Sequence, residues 1–515
     1  MTAHAEAGVY TTRMALEEKG KLIKSLRRFD MLFFTVCAFV GLDTLGQVAS
    51  YGGEGFTWLI VLAVVFVAPY ALLMAELGST WTQEGGPYEW MKLAWGRLTG
   101  GIGAVLYWVT NPLWVGGSLA FIATDAWRAQ ISGIGAGTIG DYFFKFVFIW
   151  FSIGVAIASL RYGKHIPNFG AFLRILVLGF FSVTVLIYAF KHGVHGMKGH
   201  SLSPTRAVFL GLVPVLLFNY VGFELQNGAA EEMEDPQRDV PRSVFGSGVL
   251  GVIMYAIPIF LMLLVLPSSA LSGLGGFMDA VNKVFHGVYG GAAHALLVVM
   301  TLGFIGALLT SGAVWMIGSD RILAVAAYDG AFAPWFGRFN RKLGTPVRVN
   351  VLSGVVSSIF MITAVSAFNS GTNATFQVVL FMAISTTLLS YIMIFPTALK
   401  LRYTHPEVER PYRLPGGRVG IWGATVLGTF WILLGSFVAV FPGVLEKLFG
   451  ISYGFKDTWG VTRPKFEAYT FGTLVVIVLI GIVGYILGRP VREQLPDDTH
   501  APTRIPPGAE AGAVT

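Results

Sequence analysis

The chain is 515 residues long, 54% hydrophobic and only 13% charged, with a formal net charge of +7 and a mean hydropathy of +0.65. A soluble domain carries about 25% charged residues, so this composition excludes a water-solvated globular protein and points to lipid as the solvent. One cysteine, Cys37, excludes an internal disulfide framework.

In chain order, residues 1–30 form a polar, basic arm without an apolar core, and no cleavable signal peptide is expected. Twelve apolar stretches of membrane-crossing length follow, at about 31–50, 56–79, 98–124, 143–160, 168–190, 206–232, 241–266, 288–328, 347–368, 374–400, 418–442 and 467–488. The eighth is over-long and is expected to run on as a helix beyond the bilayer. The loops at 192–204 and 443–464 are modest, and no second soluble domain fits. A tail, 491–515, carries Pro496, Pro502, Pro506 and Pro507 among small and charged residues and is expected to be disordered. Most of the 36 Lys and Arg fall on the side of the two termini. They include Lys19, Lys21, Lys24, Arg27 and Arg28 before the first stretch and Arg338, Arg341, Lys342 and Arg348 after the eighth. Positive loops stay in the cytoplasm, so the expectation is a multi-pass protein of the cell membrane with both termini cytoplasmic. The basic excess is a topology signal, and no nucleic-acid partner is expected.

Two stretches depart from a clean lipid-facing helix. The first contains Val40-Gly41-Leu42-Asp43-Thr44, and the sixth contains Phe218-Asn219-Tyr220-Val221-Gly222-Phe223-Glu224. Irregular backbone at membrane depth is tolerated only where it is buried in protein or lines a cavity. A charge there costs at least ~2.5–3.5 kcal/mol and normally faces a pathway or a partner. Glycine alone is ordinary in close helix packing, but here two matched sites each carry an acid. The interruptions fall in corresponding positions of two five-span halves. Five is odd, so the halves are inverted, with the substrate site between them. The expected fold is an all-α polytopic membrane protein of about twelve transmembrane helices. Its 5+5 inverted repeat has broken helices one and six and occupies 31–200 and 201–402, with two additional helices in 403–490.

Three motifs then carry a resemblance. The sixth stretch and its continuation, Ala230-Glu231-Glu232-Met233-Glu234-Asp235-Pro236, form one. Gly318-Ser319-Asp320-Arg321 with Tyr328-Asp329-Gly330, Pro334 and Thr345-Pro346-Val347 form a second, and Ala75-Glu76-Leu77 with Gly85-Gly86-Pro87-Tyr88 a third. Together they resemble the amino acid–polyamine–organocation transporters over most of the chain from the first span to the tenth. One departure is Gly41-Leu42-Asp43-Thr44, where many members carry a compact Gly-x-Gly turn.

The resemblance implies a secondary transporter that moves an amino acid by alternating access, by proton-coupled symport or exchange. A polyamine or other cationic amine is the alternative substrate. It implies no cofactor; its partners are the small substrate, protons and the lipid bilayer, with oligomeric state open. The unwound segments, Val40 to Thr44 and Asn219, Tyr220 and Gly222, would present backbone donors to a carboxylate and carbonyls to an amine. Asp43 is protonated or paired, or engages the substrate's ammonium, or points away. Phe218 matches an aromatic gate and Trp315 an aliphatic or cation–π contact; core packing accounts for both equally. Asn111 matches a polar contact, or makes an interhelical hydrogen bond. Glu224 is the candidate proton carrier, or else a structural acid bonded to a neighbouring helix. Arg174 matches the place where many members carry a lysine in lieu of a sodium ion, or else it snorkels to the surface near Arg161 and Lys164. Glu76, Glu84 and Glu89 are read as structural acids balanced by Lys92 and Arg97. His192, His195 and His200 are read as loop residues rather than metal ligands.

No Gly-x-x-x-x-Gly-Lys-Ser/Thr phosphate loop is present, which argues against a nucleotide-driven pump. No nucleophile–base pair or His-Glu-x-x-His marks an intramembrane enzyme. One asymmetric pair of broken helices argues against a channel, whose filter usually repeats.

Overall fold

A computed structural model describes residues 12–22, 24, 26–162, 165–194, 196, 201–267, 270–271, 276–367 and 373–494. Every regular element among them is helical, and one isolated bridge pairs Leu26 with Met233. Helix α1 (Arg13–Lys19) precedes α2 (Arg28–Phe39), whose start is capped by Asp30 accepting the Arg27 N–H at 3.0 Å. The chain leaves the helical path at 40–44 and resumes as α3 (Leu45–Ser50). Next come α4 (Gly52–Leu62), a π turn at 63–67, α5 (Ala68–Thr80), α6 (Gly86–Trp95), α7 (Arg97–Trp114), a second π turn and α8 (Ala120–Gln130). The first half closes with α9 (Ile139–Tyr162) and α10 (His165–His192).

The second half opens with α11 (Arg206–Asn219), capped by Thr205, whose hydroxyl accepts the Val208 N–H at 3.4 Å. Helix α11 stops at Asn219, and Gly222 takes φ +126°, a backbone that L side chains rarely adopt. A Cβ at Gly222 would also lie 3.0 Å from the Trp315 ring, so conformation and space both demand glycine. A 3-10 run at 225–232 leads to α12 (Pro236–Val265), which starts with proline at N1 behind Asp235. Then follow α13 (Gly276–Tyr289), α14 (Ala293–Tyr328), α15 (Val347–Ala367), α16 (Asn373–Thr404), α17 (Gly417–Val440), the short α18 (Val444–Leu448) and α19 (Phe455–Trp459), α20 (Arg463–Leu487) and α21 (Arg489–Arg492).

Ten helices among the described residues are long and apolar enough to cross a bilayer. The interrupted segments, α2–α3 and α11 with its 3-10 continuation, are shorter. Helix α10 shows the inside-out pattern: Phe172, Leu176, Val183, Leu186 and Phe190 are exposed, while Arg174, Val177, Phe181 and Val185 are buried. Apolar exposure of that kind is stable against acyl chains, whereas the polar groups must turn inward. The broken segment α2 packs against α12, α10 and α14, which places its gap at the centre of the molecule.

The structure differs from the sequence expectation in three places. The eighth stretch begins a few residues later than expected: a turn at Gly290 separates it from α13, a helix not expected from the sequence, while α14 keeps the expected over-long helix with 36 residues. Helix α6 lies in what reads as a loop: it is ten residues long and carries Glu89 and Lys92, too short and charged to register as a span. The tail is ordered at its start, where Val491 is buried and Arg492 bonds the carbonyls of Gly330 and, at 2.6 Å, Tyr485. Residues 495–515, with the rest of the expected disorder, lie outside the described residues, as do His195, His200 and Lys164.

Candidate substrate site

The gap in α2–α3 and the end of α11 face each other across a small cavity of about 20 Å³, room for roughly one water. Of the expected contact residues, Gly41, Asp43, Asn111, Phe218, Asn219 and Trp315 line it. Val40, Leu42, Thr44, Tyr220 and Gly222 do not line it and are fully buried or nearly so. Thr44 instead braces the two breaks, its hydroxyl donating to Asn219 Oδ1 at 2.7 Å. That bond leaves Asn219 Nδ2 buried without a partner.

Asp43 stands in the cavity wall, 8% exposed, and accepts the Trp114 indole N–H at 2.9 Å. It therefore does not point away from the site. Three aromatic rings surround it: Trp114 is edge-on to Phe218 at 5.9 Å and to Trp315 at 6.4 Å. The Trp315 indole donates to the Ala38 carbonyl at 2.9 Å, which fixes its ring against α2. Asn111 donates back to the Tyr107 carbonyl at 3.4 Å, within its own helix. Three backbone donors at the breaks are already engaged. Gly41 N–H donates to Tyr255 Oη at 2.8 Å, and that hydroxyl donates on to the Phe39 carbonyl at 2.9 Å. The N–H groups of Gly222 and Phe223 donate to Tyr70 Oη at 2.8 and 3.1 Å.

Glu224 is fully buried and does not line the cavity. It accepts from three phenols: Tyr107 and Tyr391, each at 2.5 Å, and Tyr70. The two acids are thus not side by side at one site, since only Asp43 meets the cavity. Arg174 is fully buried as well, so it does not snorkel. Its guanidinium donates to the carbonyls of Val40 (2.9 Å), Gly170 (2.7 Å) and Ala307 (2.7 Å), and to Thr310 Oγ1 (3.1 Å) and Ser311 Oγ (2.5 Å). A cation is held there by oxygens from the end of α2, α10 and α14, and it does not line the cavity.

Sequence reasoning missed Trp114, Tyr255, Thr110 and Thr387 of the wall and Tyr70, Tyr107 and Tyr391 around Glu224. Trp114 lies one turn after Asn111 and was within reach of a helical reading. The tyrosines come from α5, α7 and α16, and no local pattern connects them. Among the described residues no group of His, Cys, Asp and Glu is placed to hold a metal ion.

On the face that carries α1 and α21, a dense ionic network closes the molecule. Arg321 bridges Glu84 and Glu232 (2.8 Å), Lys92 and Arg97 reach Asp329 at 3.3 and 3.0 Å, and Glu76 pairs with Arg402 and Arg410. Only Glu89, 2.6 Å from Lys92, has a partner expected from sequence; Glu76 and Glu84 take arginines from distant helices. Burial first, then the neighbouring Glu232 and Glu231, push Glu84 up to about 8 against the pull of Arg321. Helix α1 latches this face: Lys19 meets Glu231 at 2.5 Å, and Thr12 donates to the Tyr328 carbonyl at 2.8 Å. The opposite face is open, with a vestibule of about 360 Å³ lined by Gln47 and Ser50 of α3.

The amino acid permease family pattern matches residues 26–453. A probable agmatine/putrescine antiporter of Lactococcus lactis subsp. lactis is 28% identical over 410 residues, covering 78% of this chain and 84% of its own. An uncharacterised transporter of Legionella pneumophila is 29% identical over 430 residues, covering 81% and 90%. A branched-chain amino acid permease of Bacillus subtilis is 22% identical over 439 residues, covering 80% and 88%. Among solved structures, a mutant manganese transporter of Eremococcus coleocola superposes with a TM-score of 0.59 at 12% identity, covering 90% of this chain and 94% of its own, which is a likeness of fold alone. Broken helices around a central cavity, the family pattern across 26–453 and the full-length relatives converge: the chain is a multi-pass membrane protein that belongs to the amino acid permease family.

Proposed function

We propose that the chain is a secondary transporter of cationic amines, working by alternating access around Asp43. The observation that carries this reading is the occupancy of the donors. Gly41, Gly222 and Phe223 N–H groups, which would grip a substrate carboxylate, are bonded to Tyr255 and Tyr70. The charge facing the cavity is the Asp43 carboxylate, boxed by Trp114, Phe218 and Trp315, a setting that attracts an ammonium by charge and by cation–π contact. The agmatine/putrescine antiporter among the relatives supports the same class. A second reading, an amino acid, draws on Asn219 Nδ2, a buried donor without a partner that a carboxylate could satisfy, and on the branched-chain permease relative.

In this reading twelve spans cross the membrane with both termini cytoplasmic, as a 5+5 inverted repeat (31–200 and 201–402) followed by 403–490. The ionic network and α1 close the cytoplasmic side, the vestibule opens outward, and a 20 Å³ cavity belongs to a collapsed state that must widen to admit substrate. Glu224 is the proton carrier, because Tyr70 ties it to the break in the sixth span. Arg174 replaces a sodium ion, since its fixed charge sits among carbonyl and hydroxyl oxygens of α2, α10 and α14.

The test is uptake of labelled agmatine, putrescine and amino acids into sodium-free proteoliposomes, with an inward proton gradient or with the same compound preloaded. Accumulation or exchange of a diamine supports the amine reading. Exchange of neutral amino acids alone selects the second reading. Dependence on sodium overturns the role given to Arg174.

A further inference from the structure

The outward vestibule holds a feature that the midplane cavity does not explain. Glu446, on α18, is 3% exposed, and its Oε2 is buried without a hydrogen-bond partner. An unpaired carboxylate oxygen costs the desolvation of a charged group unless a cation or donor meets it. It lines the 360 Å³ vestibule together with Tyr51, Phe381, Tyr453 and Trp459. The rings are fixed: Trp459 donates to Tyr453 Oη at 2.7 Å and stands edge-on to Phe381 at 4.6 Å. Arg463, whose guanidinium lies beside Gly443 near Tyr453, pairs with Glu467 at 3.4 Å and stacks 4.7 Å from the Phe455 ring, and Glu446 Oε2 has no partner from it. Gln47 shares the same vestibule, donating to Gln377 Oε1 at 3.0 Å while its own Oε1 is buried without a partner. Gln47, on α3, lies four residues after Asp43 in the chain. One vestibule thus presents a carboxylate, an amide oxygen and four aromatic rings, all suited to an alkylammonium.

We propose that Glu446 and the rings around it form an outer amine subsite, which binds the protonated amine of the substrate in the vestibule before it reaches Asp43. This rests on the amine reading of the midplane cavity and extends it to a second, separately testable site. Charge in a low-dielectric recess raises the local concentration of a cationic solute, so the subsite serves capture rather than translocation.

The experiment measures equilibrium binding of labelled putrescine to the full chain in lipid nanodiscs, beside uptake by the same preparations in proteoliposomes. Wild type is expected to bind two putrescines per chain, and Glu446→Gln one. In Glu446→Gln the half-saturating putrescine concentration for uptake should rise about five- to tenfold, the loss of one charged contact, with the maximal rate kept. Ser452→Lys, at an exposed position on the vestibule wall, tethers a competing ammonium beside Glu446 and should remove the same equivalent without touching a buried group. Unchanged stoichiometry and half-saturation in both variants overturn the subsite, as does sodium displacing putrescine at equal concentration. Failure of the underlying reading shows differently, as wild type that exchanges no amine. The subsite is then decided by binding alone, and equal putrescine binding by wild type and Glu446→Gln overturns it.

Discussion

Tyr70 and Glu224 form a single hinge point: the Tyr70 hydroxyl accepts the N–H groups of Gly222 and Phe223 and donates its own proton to the Glu224 carboxylate. The break in the sixth span and its buried acid are therefore joined through one oxygen. A proton arriving on Glu224 changes what Tyr70 can donate to, and with it the grip on the broken backbone. In the proposed mechanism this link carries protonation of Glu224 to movement of α11. Substituting Glu224→Gln preserves shape and removes titration. The expected outcome is uptake whose rate no longer varies with pH, measured in proteoliposomes across the physiological range with expression matched to wild type. Unaltered pH dependence contradicts the role of Glu224.

Removing the phenol oxygen should cost stability as well. Tyr70→Phe leaves two buried N–H groups without their acceptor, at about 1–3 kcal/mol each. A lowered unfolding midpoint in detergent, with substrate affinity reduced further because the break is no longer held, is the expected result. A variant as stable and active as wild type would show that the cap is dispensable.

Arg174 draws three carbonyls and two hydroxyls onto one guanidinium. Arg174→Met should be strongly destabilising, by about 3–5 kcal/mol, because the oxygens gathered around a cation lose it. Transport by wild type should be indifferent to replacing sodium with choline. Addition of sodium partly rescuing Arg174→Met would be direct support for ion replacement.

The latch of α1 carries a pH signature. Burial works to raise the Glu18 carboxyl, but bonds from Lys21, the Phe339 N–H and Arg338 outweigh it and hold the group below its ordinary value. A native value below the unfolded one means that stability from Glu18 is present above about pH 4.3 and is lost as pH falls through the depressed native value. Protection from hydrogen exchange at residues 12–22, measured against the unfolded-chain rate at each pH, should be constant through neutral and mildly acidic pH and fall only below about pH 4. Glu18→Gln should show the reduced protection at every pH. Loss of protection already near neutrality would contradict this account.

Much of this arrangement is legible in the residues. Twelve apolar stretches, two interrupted by glycine and acid, are enough to place the breaks, because a carboxylate at membrane depth has few alternatives to a cavity wall or a buried partner. Asp43 and Glu224 look alike in sequence yet divide between those two fates. The difference lies in Tyr70, Tyr107 and Tyr391, brought in from three other helices. The same limit applies to Glu76 and Glu84, whose arginines stand more than 200 residues away in the chain. Local spacing suggested Lys92 and Arg97 for them, whereas Lys92 pairs with Glu89 and both meet Asp329. Periodicity reads a helix's own faces, and pairing across helices is set by tertiary packing.

The most direct test of the account is counterflow of labelled putrescine in sodium-free proteoliposomes, comparing wild type with Asp43→Asn. Asp43 is expected to hold the ammonium through charge-assisted hydrogen bonding of ~1.5–3 kcal/mol, so Asp43→Asn should weaken putrescine exchange by roughly 10- to 100-fold while the protein remains folded. Wild type that exchanges neutral amino acids but no diamine, with Asp43→Asn unimpaired, would contradict the assignment of Asp43 as the amine ligand.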